Sequence, residues 1–243
     1  MFIVRFALLS SFFYALNVSM LPLIYSFEVS AFLFLFIRFA ATFCSSLLVT
    51  KSFFSFTKIK KHKIGFWLII LSFLFGIQSW FFVEAVKYMS VGLASVILFT
   101  YPLITYLMVS FSKRRALDLT TIVMFILATI GIIAISQSSE GVYTLVIGIV
   151  LSLLSAISLS LIFFLTPKVS SLRNWEIVKF TTLIPMLMFL ALFLNETGIS
   201  WPANEGIILS LISGTLFASG MFFYHIAVRR YGPTRTANVG YSE

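Results

Sequence analysis

Apolar runs of membrane-spanning length, each bounded by charged or turn-forming residues, recur along this 243-residue chain. A helix needs about 20 such residues to cross the hydrocarbon core of a bilayer. The pattern predicts eight spans, over Phe6–Ser26, Ser30–Thr50, Ile64–Val83, Gly92–Phe111, Leu119–Ser136, Tyr143–Thr166, Ile177–Leu194 and Gly206–Val228. Another run opens near Thr234 and reaches the last residue, Glu243, too soon to span; it is expected to lie disordered or interfacial. The runs are apolar on every face, as in helices surrounded by lipid and other helices, and carry no amphipathic stripe.

Composition sharpens the picture. Sixty per cent of residues are hydrophobic and 10% charged, where soluble domains carry about a quarter charged. The 29 phenylalanines exceed what one aqueous core of this size would bury, so lipid is the economical solvent. The first run is longer than a signal-peptide core and lacks a small-x-small cleavage site, and therefore reads as a retained span. The single cysteine, Cys44, lies within a span and offers no disulfide framework.

Charge then orients the spans. Lys51, Lys58, Lys60, Lys61 and Lys63 share one loop, and Lys113, Arg114 and Arg115 another. Lys168 with Arg173, and Arg229 with Arg230 and Arg235, form two further groups. Eight alternating spans put all four groups on one side with Arg5, opposite Glu28, Glu84, Glu140, Glu196 and Glu205. By the positive-inside rule both ends of the chain are cytoplasmic, in a multi-pass protein of the cell (inner or plasma) membrane. The net charge of +9 is thus topological and implies no nucleic-acid partner.

An internal repeat emerges at an offset of about 142 residues. Ala85-Val86-Lys87 falls on Ala227-Val228-Arg229, and Phe81 on Phe223. At an offset of 141, Ser11, Ala15 and Ser19 meet Ser152, Ala156 and Ser160, and Arg38-Phe39 meets Lys179-Phe180. Each unit holds an odd number of spans, five, so two copies insert in opposite senses, which is the inverted-repeat logic of secondary transporters. The chain divides accordingly into a first five-helix unit, 1–140, and a second, 141–243, that stops within its fourth helix.

The stretch EAVKYMSVGLASVILFTYPLITYLM resembles the fourth-helix region of EamA-like members of the drug/metabolite transporter superfamily. FLFLFIRFAATF is similar to their second helix, and HIAVRRYGPTRTANVGYSE to the start of their ninth. The resemblance implies an all-α, ten-helix bundle, here eight full spans and a partial ninth. Glu243 falls on a glutamate that such proteins follow with proline and two further helices, so the chain reads as a C-terminal truncation or a short variant. Asp118 stands near an acidic position that follows the fourth helix in the family.

Polar groups at membrane depth are costly and mark candidate sites. Arg38 either attracts an anion or has a structural partner, a carbonyl cluster or the surface near Glu28; Lys179 occupies the equivalent place with Glu176 within reach on its own helix. Asn17 and its counterpart Ser158 are either interhelical hydrogen bonders or cavity residues. Gln78 and Trp80, with Tyr224 and His225, occupy overlapping places in the two units and would form an aromatic floor with an amide and an imidazole. Packing is the alternative for these, and for Tyr101 before Pro102. Small residues at i, i+4 and i+8, as in Ser11-Ala15-Ser19, Ser152-Ala156-Ser160 and Ser210-Gly214-Ala218, predict close helix contacts.

No metal-ligand spacing, nucleophile–base pair or phosphate-binding loop is visible, so neither an enzyme, a cofactor nor direct ATP drive is expected. The reading is a secondary carrier of small metabolites, amino acids or related amphipathic compounds, with substrate and lipid as its partners. A non-transporting membrane interaction protein and an inactive truncated product are the alternatives, and oligomeric state is left open.

Overall fold

The structure, a computed structural model, describes residues 5–50, 64–113, 142–197 and 202–239, with the single position 123. Its helices are α1 (Arg5–Ser19), α2 (Leu21–Ser26), α3 (Ala31–Thr50), α4 (Ile64–Ala85), α5 (Val91–Leu98), α6 (Tyr101–Lys113), α7 (Val142–Leu165), α8 (Asn174–Leu194), α9 (Asn204–Tyr231) and α10 (Pro233–Val239). The described residues contain seven stretches long and apolar enough to cross a membrane, and each overlaps a predicted span. The remaining prediction, Leu119–Ser136, lies outside the described residues except for Val123. This is an all-helical, multi-pass membrane protein. Large apolar side chains point outward, as lipid permits: Leu48, Phe111 and Leu194 are each more than 70% exposed.

Proline sets the internal breaks. Pro22 opens α2 one residue after α1 ends, since it has no N–H to continue the ladder. Pro102 does the same between α5 and α6, dividing the fourth span at mid-depth. Broken backbone is tolerated inside a membrane only where protein or cavity satisfies it. Here the Tyr101 carbonyl accepts from the Thr105 and Ser160 hydroxyls, both at 2.8 Å. Ser90 caps α5 by accepting from the Leu93 N–H, and Ser30 serves Leu33 at the start of α3 in the same way.

Contacts identify the two ends of the bundle. At one, Ser30 donates to Glu196 at 2.9 Å and Gly206 packs against Val29. At the other, Lys179 donates to Thr50 at 3.0 Å, Arg229 donates to the Leu172 carbonyl, and Arg230 lies over Phe6. The described acidic loop residues thus collect at one end and most of the basic ones at the other. The loops 51–63 and 114–122, with most of the predicted positive charge, lie outside the described residues.

The core is built from helix pairs distant in sequence. α3 packs along α8, α1 along α9, and α4 along α7, while α3 on α9 and α4 on α8 join these pairs into one row. Two of the three small-residue ladders make these contacts. Ser152, Ala156 and Ser160 are fully buried, as are Ser210 and Ala218 beside Gly214. The third departs from expectation: Ala15 and Ser19 are exposed and, with Ser11, border an internal cavity rather than a neighbouring helix. Of the two states expected for the tail, disorder does not hold for residues 233–239, which form a short helix of 7 residues against α6 and α9 with Thr236 and Ala237 buried, too short to span a bilayer.

Candidate functional site

A cavity of about 360 Å³ lies between α1 and the broken fourth span, walled by α3, α4, α7 and α9 and touched by Thr236 of α10. Its surface is mostly apolar, with a few polar groups, as ligand-binding pockets usually are. The Pro102 break is what places Tyr101 on its wall: α5 ends at Leu98, and the chain re-enters helix at Tyr101, whose ring packs on Phe163 at 5.0 Å.

The structure brings together four of the eight residues singled out from sequence. Asn17, Arg38, Gln78 and Tyr224 all line the cavity. Asn17 is buried and its amide nitrogen donates to the Ser213 carbonyl at 2.8 Å and hydroxyl at 2.6 Å, so hydrogen bonding between helices and cavity lining hold at once. Gln78 donates to the Ser155 hydroxyl at 3.1 Å, while that hydroxyl donates to the Gln78 carbonyl at 3.0 Å. The Tyr224 hydroxyl shares a 2.9 Å hydrogen bond with Thr166, and its ring meets Phe163 edge-on.

The other four sit elsewhere. Trp80 packs beside Phe81, its indole N–H buried with no partner among the described residues. Ser158 donates back to the Leu154 carbonyl of its own helix. His225 is buried beside Phe75 and Tyr224, off the cavity, and neither ring nitrogen has a described partner. Lys179 is buried against Thr50 near the opposite end of α3 from Ser30, while Glu176 closes the first turn of α8 by bonding Arg173.

Arg38 is the residue whose surroundings matter most. It is 4% exposed, and Nε and Nη2 are buried without a hydrogen-bond partner. Neither a carbonyl cluster nor Glu28 holds it among the described residues, which corrects the structural reading of this side chain. Instead the guanidinium sits 4.5 Å from the Phe217 ring centre and just over 5 Å from those of Phe34 and Phe39. Such contacts contribute about 2 kcal/mol when desolvated, against an insertion cost near 3 kcal/mol for an arginine at mid-membrane. They hold the charge without using its N–H groups.

Tyr14 was missed. It lines the cavity, packs on Phe217 and closes against Gly220, where a β-carbon would lie 3.0 Å from its ring. The signal was available: Ser10, Tyr14 and Asn17 share one face of α1 at i, i+4 and i+7, and Ser10 donates to the Gly220 carbonyl.

A family model described as the EamA-like transporter family matches residues 1–137. No curated protein matches the chain.

Proposed function

The chain belongs to the EamA-like transporter family, and on that premise we propose that it is a secondary carrier that moves small amphipathic metabolites through the cavity between α1 and the broken fourth span. Membership makes it a membrane transporter of small molecules. The observation that carries the finer reading is the cavity itself: apolar walls, a buried cation and two amides at mid-depth.

An inverted repeat of two units, 1–140 and 141–243, supports alternating access. Under the 141–142 offset, α1 corresponds to α7, α3 to α8 and α4 to α9. The pairing of α1 with α9 is then the image of α4 with α7, and the pairing of α3 with α8 is its own image. Rocking of one such unit against the other would open the cavity alternately to the two sides.

Transport is tested by reconstituting the protein in liposomes loaded with a metabolite mixture and seeking saturable counterflow. Absence of any protein-dependent flux, with the protein correctly inserted, would remove the carrier reading and favour a membrane interaction role.

Both ends of the chain are proposed to be cytoplasmic, supported by the separation of basic and acidic ends. With Cys44 replaced by Ser, a cysteine at exposed Glu205 is expected to react with an impermeant maleimide in intact cells. One at exposed Lys168 is expected to react only after lysis. The opposite pattern inverts the orientation.

A further inference from the structure

Resting on the carrier reading, we propose that the cavity selects cargo with net negative charge, an organic acid on an apolar or aromatic body, and discriminates against zwitterions. Among the described residues Arg38 is the one charged side chain that lines the cavity. The described carboxylates are committed or remote. Glu84 pairs with Lys87, Glu176 with Arg173, and Glu196 accepts from Ser30. Glu28 precedes α3 and Glu205 begins α9, both at the acidic end of the bundle.

A buried cation with partnerless donors is half of an ion pair. A carboxylate entering the cavity would supply the missing half, with charge-assisted hydrogen bonds to N–H groups that the three phenylalanine rings leave unused. An ammonium on the same cargo finds no carboxylate, loses its hydration and meets the repulsion of Arg38. Burying such an uncompensated charge outweighs the added contact. Of the rings lining the cavity, Phe217 is already engaged by the guanidinium. The remainder of the cargo meets Phe75, Phe82 and Phe163, which suit an apolar or ring-bearing body.

Three probes on one skeleton separate the terms: 3-phenylpropionate is the anion, 3-phenylpropionamide its neutral counterpart, and L-phenylalanine the zwitterion. Binding of each to the full chain in lipid nanodiscs is measured by equilibrium dialysis. The anion is expected to bind at least about tenfold more tightly than either other probe, the scale of one hydrogen-bonded charge pair. Arg38→Gln is expected to erase the preference over the amide and Arg38→Lys to keep part of it. Should Arg38→Gln fail to fold, the ranking of the three probes on the unaltered chain still decides. Equal or tighter binding of phenylalanine or the amide would overturn the inference, as would failure of all three to bind. Counterflow in liposomes distinguishes the two claims. Anion binding without flux removes the carrier and leaves the anion site, whereas flux of phenylalanine but not phenylpropionate does the reverse.

Discussion

Asn17→Leu is expected to lower protein-dependent flux at least about tenfold, the scale of losing a buried hydrogen-bonded polar group, with little change in membrane abundance. The amide spans α1 and α9 through two contacts to Ser213 while lining the cavity. Leucine removes both, strands the Ser213 groups and places an isobutyl group where polar cargo would sit. Stability should suffer less, because hydrogen bonds between membrane helices average only about 0.6 kcal/mol. Gln78→Leu is expected to behave alike, since its partner Ser155 sits across the α4–α7 contact. Ser158→Ala supplies the control, because that hydroxyl bonds its own helix away from the cavity. Flux assays normalised to surface protein decide the matter. Wild-type transport by Asn17→Leu would move the pathway elsewhere.

A single added methyl is expected to have the largest effect on stability. At Gly214 a β-carbon would lie 2.6 Å from that of Ala41 and 2.8 Å from the Arg38 carbonyl oxygen. The second of these is backbone, so relief requires α3 and α9 to separate. Separation would break the contact of the Thr42 hydroxyl with the Gly214 carbonyl, 2.9 Å away, and shift the helix that carries Arg38. Overpacking costs about 1–3 kcal/mol, more than the gain of about 1 kcal/mol from replacing glycine within a helix. Gly214→Ala should therefore lower the melting temperature in detergent, and Gly214→Leu should prevent recovery of monodisperse protein. At Gly92 nothing lies within 4 Å of the same added carbon. Gly92→Ala is therefore expected to match or exceed the wild type. A Gly214→Ala protein as stable as wild type would show that the α3–α9 contact yields easily.

The contrast between Arg38 and Lys179 shows where reading from sequence runs out. Repeat alignment pairs them, and both are ionisable groups inside a span. Their surroundings come from different helices, Phe217 of α9 for one and Thr50 of α3 for the other. Alignment of two stretches of sequence does not by itself fix which helices surround the aligned residues. Trp80 and Gln78 make the same point at short range. They are two residues apart, about 200° around the helix, so one faces the cavity and the other does not.

By itself, the sequence determined the number and approximate limits of the described spans, because hydrocarbon thickness fixes the length of an apolar helix and charge within it is costly and rare. The breaks at Pro22 and Pro102 needed context as well, since Pro185, equally without an N–H, lies inside the unbroken α8. Tertiary structure decided which face of each helix turned inward. Spans apolar on all sides carry no stripe to announce it, and lipid imposes no penalty for choosing either face. Packing of α1 on α9 and of α4 on α7 made that choice, and with it placed Tyr14 beside Arg38 in the cavity while leaving His225 behind the wall.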